Sequence, residues 1–113
     1  MRKVSETVVK AFLAGESKKV DNTSTDGETL FLYGNKIATN IKNAIRIFDG
    51  GFQTATTKER LNTLIQTMNR SGKYETIVDG IYQKDFTLYV QFSNGDSCKF
   101  STGILGILVG VLK

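Results

Sequence analysis

The sequence predicts an α+β fold: an antiparallel sheet of hairpins with an N-terminal helix and one central helix. Three observations carry this. Apolar residues at helical spacing follow a capping signal near residue 56, a similar pattern occupies the first fifteen residues, and most of the rest alternates in period two between turn residues. The 113 residues suit one domain spanning 1–113, long enough to bury a core without disulfide staples.

Ser5 is placed to cap a helix over residues 5–14, and Val4 and Val9 can form a hydrophobic staple around it. Val8, Ala11 and Phe12 give the buried stripe, and Gly15 is a natural stop. Residues 16–27 are polar and read as a loop, with room for a short strand at Lys18–Val20.

Leu30–Tyr33 and Lys36–Ile41 flank Gly34-Asn35, a two-residue hairpin turn. That register sets Leu30 and Leu32 on the face of Ile37 and Thr39. A third strand, Ala44–Phe48, closes at Asp49-Gly50-Gly51.

The second helix begins with Thr56-Thr57-Lys58-Glu59, which matches a capping box. Leu61, Leu64, Ile65 and Met68 then form one apolar face, and the helix ends between Asn69 and Gly72.

Tyr74–Val78, Ile81–Gln83 and Phe86–Phe92 read as strands, with turns at Asp79-Gly80 and Lys84-Asp85. Phe86, Leu88, Val90 and Phe92 alternate as a buried row. Ser93-Asn94-Gly95 fits a three-residue loop, which sets Val90 beside Cys98 and Leu88 beside Phe100; Cys98 is then expected to be buried. Residues 103–113 are nearly all apolar but too short to span a bilayer as a helix. They suit a last strand or short helix in the core, or an apolar segment for homo-oligomerisation.

The composition narrows function. There is no histidine, so the commonest general base and zinc ligand are missing, and the single cysteine excludes an internal disulfide. Asp79, Asp85 and Asp96 each have a turn-level explanation. No phosphate-binding loop, dinucleotide fingerprint or nucleophile elbow is present. The expectation is a binding protein, not an enzyme, with no cofactor and no metal. The Met1–Glu6 start carries no signal-peptide pattern, so the cytoplasm, with no membrane partner, is the expected setting.

The net charge of +4 favours anionic partners. Lys58 and Arg60 lie in the first turn of the second helix, where cations oppose the helix dipole unless an anion sits there. Thr56 and Thr57 add hydroxyls to the same place. Arg46 faces away from Ile45 and Ile47, and Phe31, Tyr33, Tyr82 and Tyr89 can share the face opposite the aliphatic one, where they could stack a base or pack on a neighbour. The candidate ligand-binding set is Arg46, Phe52, Thr56, Thr57, Lys58, Arg60 and Tyr82.

The stretches Leu32-Tyr33-Gly34-Asn35-Lys36-Ile37-Ala38 and Gly51-Phe52 through Thr56-Thr57-Lys58-Glu59-Arg60-Leu61-Asn62 resemble a motif pair in a family of small bacteriophage proteins. Phe52 stands where that family often has tryptophan, and the glycine-rich tail lies outside the pattern. The resemblance implies a phage accessory protein in the host cytoplasm that counters host defences. It would act by sequestering a nucleotide signal, by docking on a CRISPR–Cas or other defence protein, or by binding nucleic acid.

Overall fold

Val8, Val9 and Phe12 are fully buried, and the helix that carries them, α1 (Lys3–Leu13), is fixed by that burial. The computed structural model describes residues 3–51, 54–100 and 106–113, with side chains from Ser5 onward in the first stretch. Gly15 takes a left-handed φ of +76°, and the Glu16 amide donates to the Ala11 carbonyl at 2.8 Å, closing the last turn. Ser5 does not cap α1. The helix begins earlier, and the Ser5 hydroxyl is buried against the central helix, where it finds stronger partners than a backbone amide. The staple expected between Val4 and Val9 rests on a Val4 side chain outside the described residues.

Five strands then form a meander: β1 (Lys18–Val20), β2 (Thr23–Thr25), β3 (Thr29–Leu32), β4 (Asn35–Ile41) and β5 (Ala44–Ile47). Part of the stretch read as loop is therefore strand. β2 has no apolar residue to signal it, and its buried threonines satisfy their hydroxyls internally: Thr25 Oγ1 donates to the Thr29 carbonyl at 2.7 Å. The β3–β4 turn is Tyr33-Gly34, with φ of +52° and +80°, one residue earlier than Gly34-Asn35. A one-residue slip alone would turn the apolar set outward. A bulge prevents this: Phe31 pairs with Lys36 but Leu30 with Ala38, so Ile37 is the extra residue. Leu30, Leu32, Ile37 and Thr39 are all buried, as the alternation requires.

The central helix α2 (Ala55–Ser71) starts from Thr54, not Thr56. Thr54 is extended, and its hydroxyl accepts the Thr57 amide at 3.2 Å. Glu59 closes no capping box because it turns to α1 instead. Leu61, Leu64, Ile65 and Met68 are buried, so truncating Leu64 to alanine costs ~2–5 kcal/mol. Gly72 ends α2 at a φ of +68°.

The remaining strands are β6 (Tyr74–Thr76), β7 (Val78–Lys84), β8 (Thr87–Phe92), β9 (Ser97–Lys99) and β10 (Ile107–Leu112). One sheet runs β1-β2-β3-β4-β5-β10-β6 and the other β7-β8-β9. Ile77 joins them: its amide donates to the Val109 carbonyl and its carbonyl accepts the Ser93 amide, both at 2.9 Å. The chain changes sheets there, not at Asp79-Gly80, where β7 carries a bulge. The β7–β8 turn is Asp85-Phe86, with φ of +51° and +65°, so Phe86 is 90% exposed at the tip and leaves the buried row. The three-residue loop after β8 is as expected, with Val90 opposite Cys98 and the Phe100 amide bonded to the Leu88 carbonyl at 2.8 Å. Cys98 is exposed all the same. It stands on edge strand β9, two strands from β7, the strand against which α2 packs.

The apolar C-terminal segment is a strand over residues 107–112, paired to β5 from Ile107 to Val111 and to β6 from Gly110 to Leu112. Gly106 makes its entry possible. At φ +67°, a Cβ there would stand 2.7 Å from the Ile47 carbonyl oxygen and 2.7 Å from the Phe48 ring. The exposed large apolar side chains of this strand are Val111 and Leu112; residues 103–105 of the tail lie outside the described residues.

Candidate functional site

Three pieces of chain meet at the start of α2. The tip of the β3–β4 hairpin supplies Leu32, Tyr33, Asn35 and Ile37. The turn after β5 supplies Asp49 and Gly50, and the helix start supplies Thr54, Thr56 and Thr57. Together they line a groove of about 440 Å³. Gly50, at φ +69°, lets the turn lie against β4: a Cβ there would come within 3.1 Å of Ile37 Cγ2. Asp49 Oδ1 accepts the Gly51 amide at 2.8 Å and holds the turn closed. Beside it, the Lys36 ammonium sits 4.3 Å from the centroid of the Phe48 ring.

The groove has an apolar floor, Leu32 and Ile37, and a polar wall of threonines. Thr57 is buried, with its hydroxyl 3.0 Å from that of Thr54, while Thr56 is half-buried. Tyr33 forms the rim, 71% exposed. The arrangement can hold a small ligand with an apolar face against the floor and a polar end at the helix start, where backbone amides and the dipole favour negative charge. Asp49 adds one carboxylate that an anion would have to avoid.

One turn further along α2 the setting reverses. Arg60 is 2% exposed. Its Nε donates to Thr23 Oγ1 at 2.8 Å, Nη1 to Ser5 Oγ at 2.8 Å and Nη2 to Asn22 Oδ1 at 3.0 Å, and the guanidinium pairs with the Glu59 carboxylate. Glu59 also accepts from Ser5 Oγ at 2.5 Å and from Thr63 Oγ1 at 2.8 Å. Partial burial on its own would raise the Glu59 pKa. The hydrogen bonds from Ser5 and Thr63, with the charge of Arg60, outweigh it and hold the carboxyl below its ordinary value. This cluster ties α1, the β1–β2 turn and α2 together.

The seven residues picked from sequence therefore separate. Thr56 and Thr57 line the groove, and Lys58 follows them, half-buried. Arg60, expected at an anion, has its guanidinium turned to internal partners. Arg46 is half-buried on β5, on the face opposite buried Ile45 and Ile47, with Thr39 and Leu108 as its strand partners. Tyr82 lies on the other sheet, stacked on Tyr89. Phe52 lies outside the described residues. Asn35 and Asp49 were legible only as turn residues and Tyr33 as a strand-end aromatic grouped with Tyr82 and Tyr89, and nothing local in the sequence says that the two turns meet.

Among the described residues, no group of three or more cysteine, aspartate or glutamate side chains could hold a metal ion, and no helix is long and apolar enough to cross a membrane. The family model described as Kyanoviridae Gp96 protein matches residues 1–105. No curated protein and no solved structure matches the chain.

Proposed function

Since this chain belongs to the Kyanoviridae Gp96 protein family of bacteriophages, we propose that it is a phage accessory protein that counters host defence by binding, without catalysis. The ligand on this reading is an anionic nucleotide signal held in the groove at the start of α2. The observation that carries it is the groove itself, whose volume of about 440 Å³ falls in the range of small-ligand sites. Leu32 and Ile37 would take the base, with Tyr33 closing over it. Thr56 and Lys58 would face the phosphate at the helix start, with buried Thr57 holding the Thr54 cap beneath them. Titration calorimetry against a panel of cyclic di- and trinucleotides tests this. Saturable binding that weakens in Thr56→Val and Lys58→Ala supports it; a folded protein that binds none of the panel removes it.

A second reading is docking on a host defence protein, favoured by Phe86. An aromatic side chain that is 90% exposed at a hairpin tip, on a left-handed backbone where glycine is the usual residue, is suited to enter an apolar cleft of a partner. Capture from host lysate by the wild type but not by Phe86→Ser, with one stoichiometric partner, would favour this reading over the first.

A further inference from the structure

The three-stranded sheet turns one face to the core, through Val78, Ile81, Leu88 and Val90, and no described helix or strand packs on the other. Register decides what stands on that second face. Tyr82 is opposite Tyr89, and Tyr89 is opposite Lys99, so these three form one row across β7, β8 and β9. Two residues along β7, Lys84 stands on the same face opposite Thr87, and Gln91 stands two residues along β8 from Tyr89. The tyrosine rings stack, with centroids 5.3 Å apart and planes at 12°. Tyr82 is 38% exposed, and both lysines are exposed.

A cross-strand aromatic pair stabilises a hairpin, and that alone explains the stack. It does not explain the charge. Of these six residues two are cationic and none is acidic; the sheet's carboxylates are Asp79, in the β7 bulge at the far end from Lys84 and accepting from Ser93 Oγ at 3.2 Å, and Asp85 and Asp96 in the loops beyond the strand ends. Lys99 is two strand spacings from Tyr82, about 10 Å, within reach of a phosphate flanking a base stacked on the pair. An aromatic platform between cations on an antiparallel sheet meets both needs of a flexible polyanion with flat bases.

We propose that this face binds single-stranded nucleic acid, with bases stacking on the Tyr82–Tyr89 pair and Lys84 and Lys99 contacting phosphates. The site is separate from the groove at the start of α2, and neither depends on the other.

The test is fluorescence anisotropy of the full chain with labelled oligothymidylate and oligouridylate over a salt series; the two probes separate DNA from RNA. The chain has four tyrosines and no tryptophan, so quenching of its own emission reports stacking, and reading it in Tyr33→Ala removes the contribution of the groove. Binding should weaken about tenfold in Tyr82→Ala and hold in Tyr82→Phe. Lys84→Ala and Lys99→Ala should each lower the log–log salt slope by about 0.7. If Tyr82→Ala proves unstable, the wild-type emission and the two lysine variants still decide the matter. Failure of both probes to bind at low salt overturns the proposal. So does binding without tyrosine quenching, or binding that Thr56→Val abolishes while the lysine variants leave it unchanged.

Discussion

Thr56 and Arg60 stand one helical turn apart on α2, in opposite settings. Arg60 carries the charge, yet it is buried with hydrogen bonds to Thr23, Ser5 and Asn22 and an ion pair with Glu59. Thr56 is uncharged and lines an open groove. A cation in the first turn of a helix suggests an anion site only while its side chain is at the surface. Here the guanidinium instead links α1, the β1–β2 turn and α2, and so holds the framework on which the groove's threonines stand.

Four variants can break or sharpen this contrast. The largest effect is expected for Arg60→Met, which strands Glu59 and the polar groups around it at a cost of about 3 kcal/mol. Urea unfolding measures it. Wild-type stability together with lost ligand binding would move Arg60 to the recognition surface and dissolve the contrast. Glu59 gives the same cluster a pH signature. Its folded pKa lies below its unfolded value, so its contribution is present above the unfolded pKa and disappears as pH falls through the folded one. Glu59→Gln should therefore be less stable than wild type at neutral pH, with the gap narrowing as acid is added. A gap that stays constant down the acid limb would mean that the carboxylate's charge contributes nothing. Thr54→Ala removes the helix cap and should cost ~1 kcal/mol in thermal or urea unfolding. The smallest stability change belongs to Thr56→Ala, within about 0.5 kcal/mol of wild type. That variant should instead weaken nucleotide binding in calorimetry, so a marked loss of stability would place Thr56 with the framework.

Element types were legible because each rests on local chemistry: the apolar face Leu61, Leu64, Ile65 and Met68, the alternation of Leu88 and Val90, and glycines at 15 and 72 that accept a left-handed backbone. Two turns were each misplaced by one residue. Tyr33-Gly34 and Asp85-Phe86 both need positive φ at two positions, which the sequences Gly34-Asn35 and Lys84-Asp85 advertise at least as well. The bulge at Ile37 reconciles the first turn with the buried face, and the Tyr82–Tyr89 pair stacks in the register of the second. Both depend on the partner strand. The N-cap moved from Thr56 to Thr54 for a similar reason: Glu59, which would have closed the box, faces α1.

By itself the sequence determined the two helices, the hairpin-built antiparallel sheet, the loop that pairs Val90 with Cys98, and likeness to a phage family. Periodicity and turn chemistry are local. Tertiary structure decided that β10 lies between β5 and β6, that Cys98 is exposed and Arg60 is not, and that the turn at Asp49 meets the hairpin at Tyr33 to form a groove. Burial depends on what packs above a residue, and a groove on which distant turns meet. Both are relations between segments that no window of sequence contains.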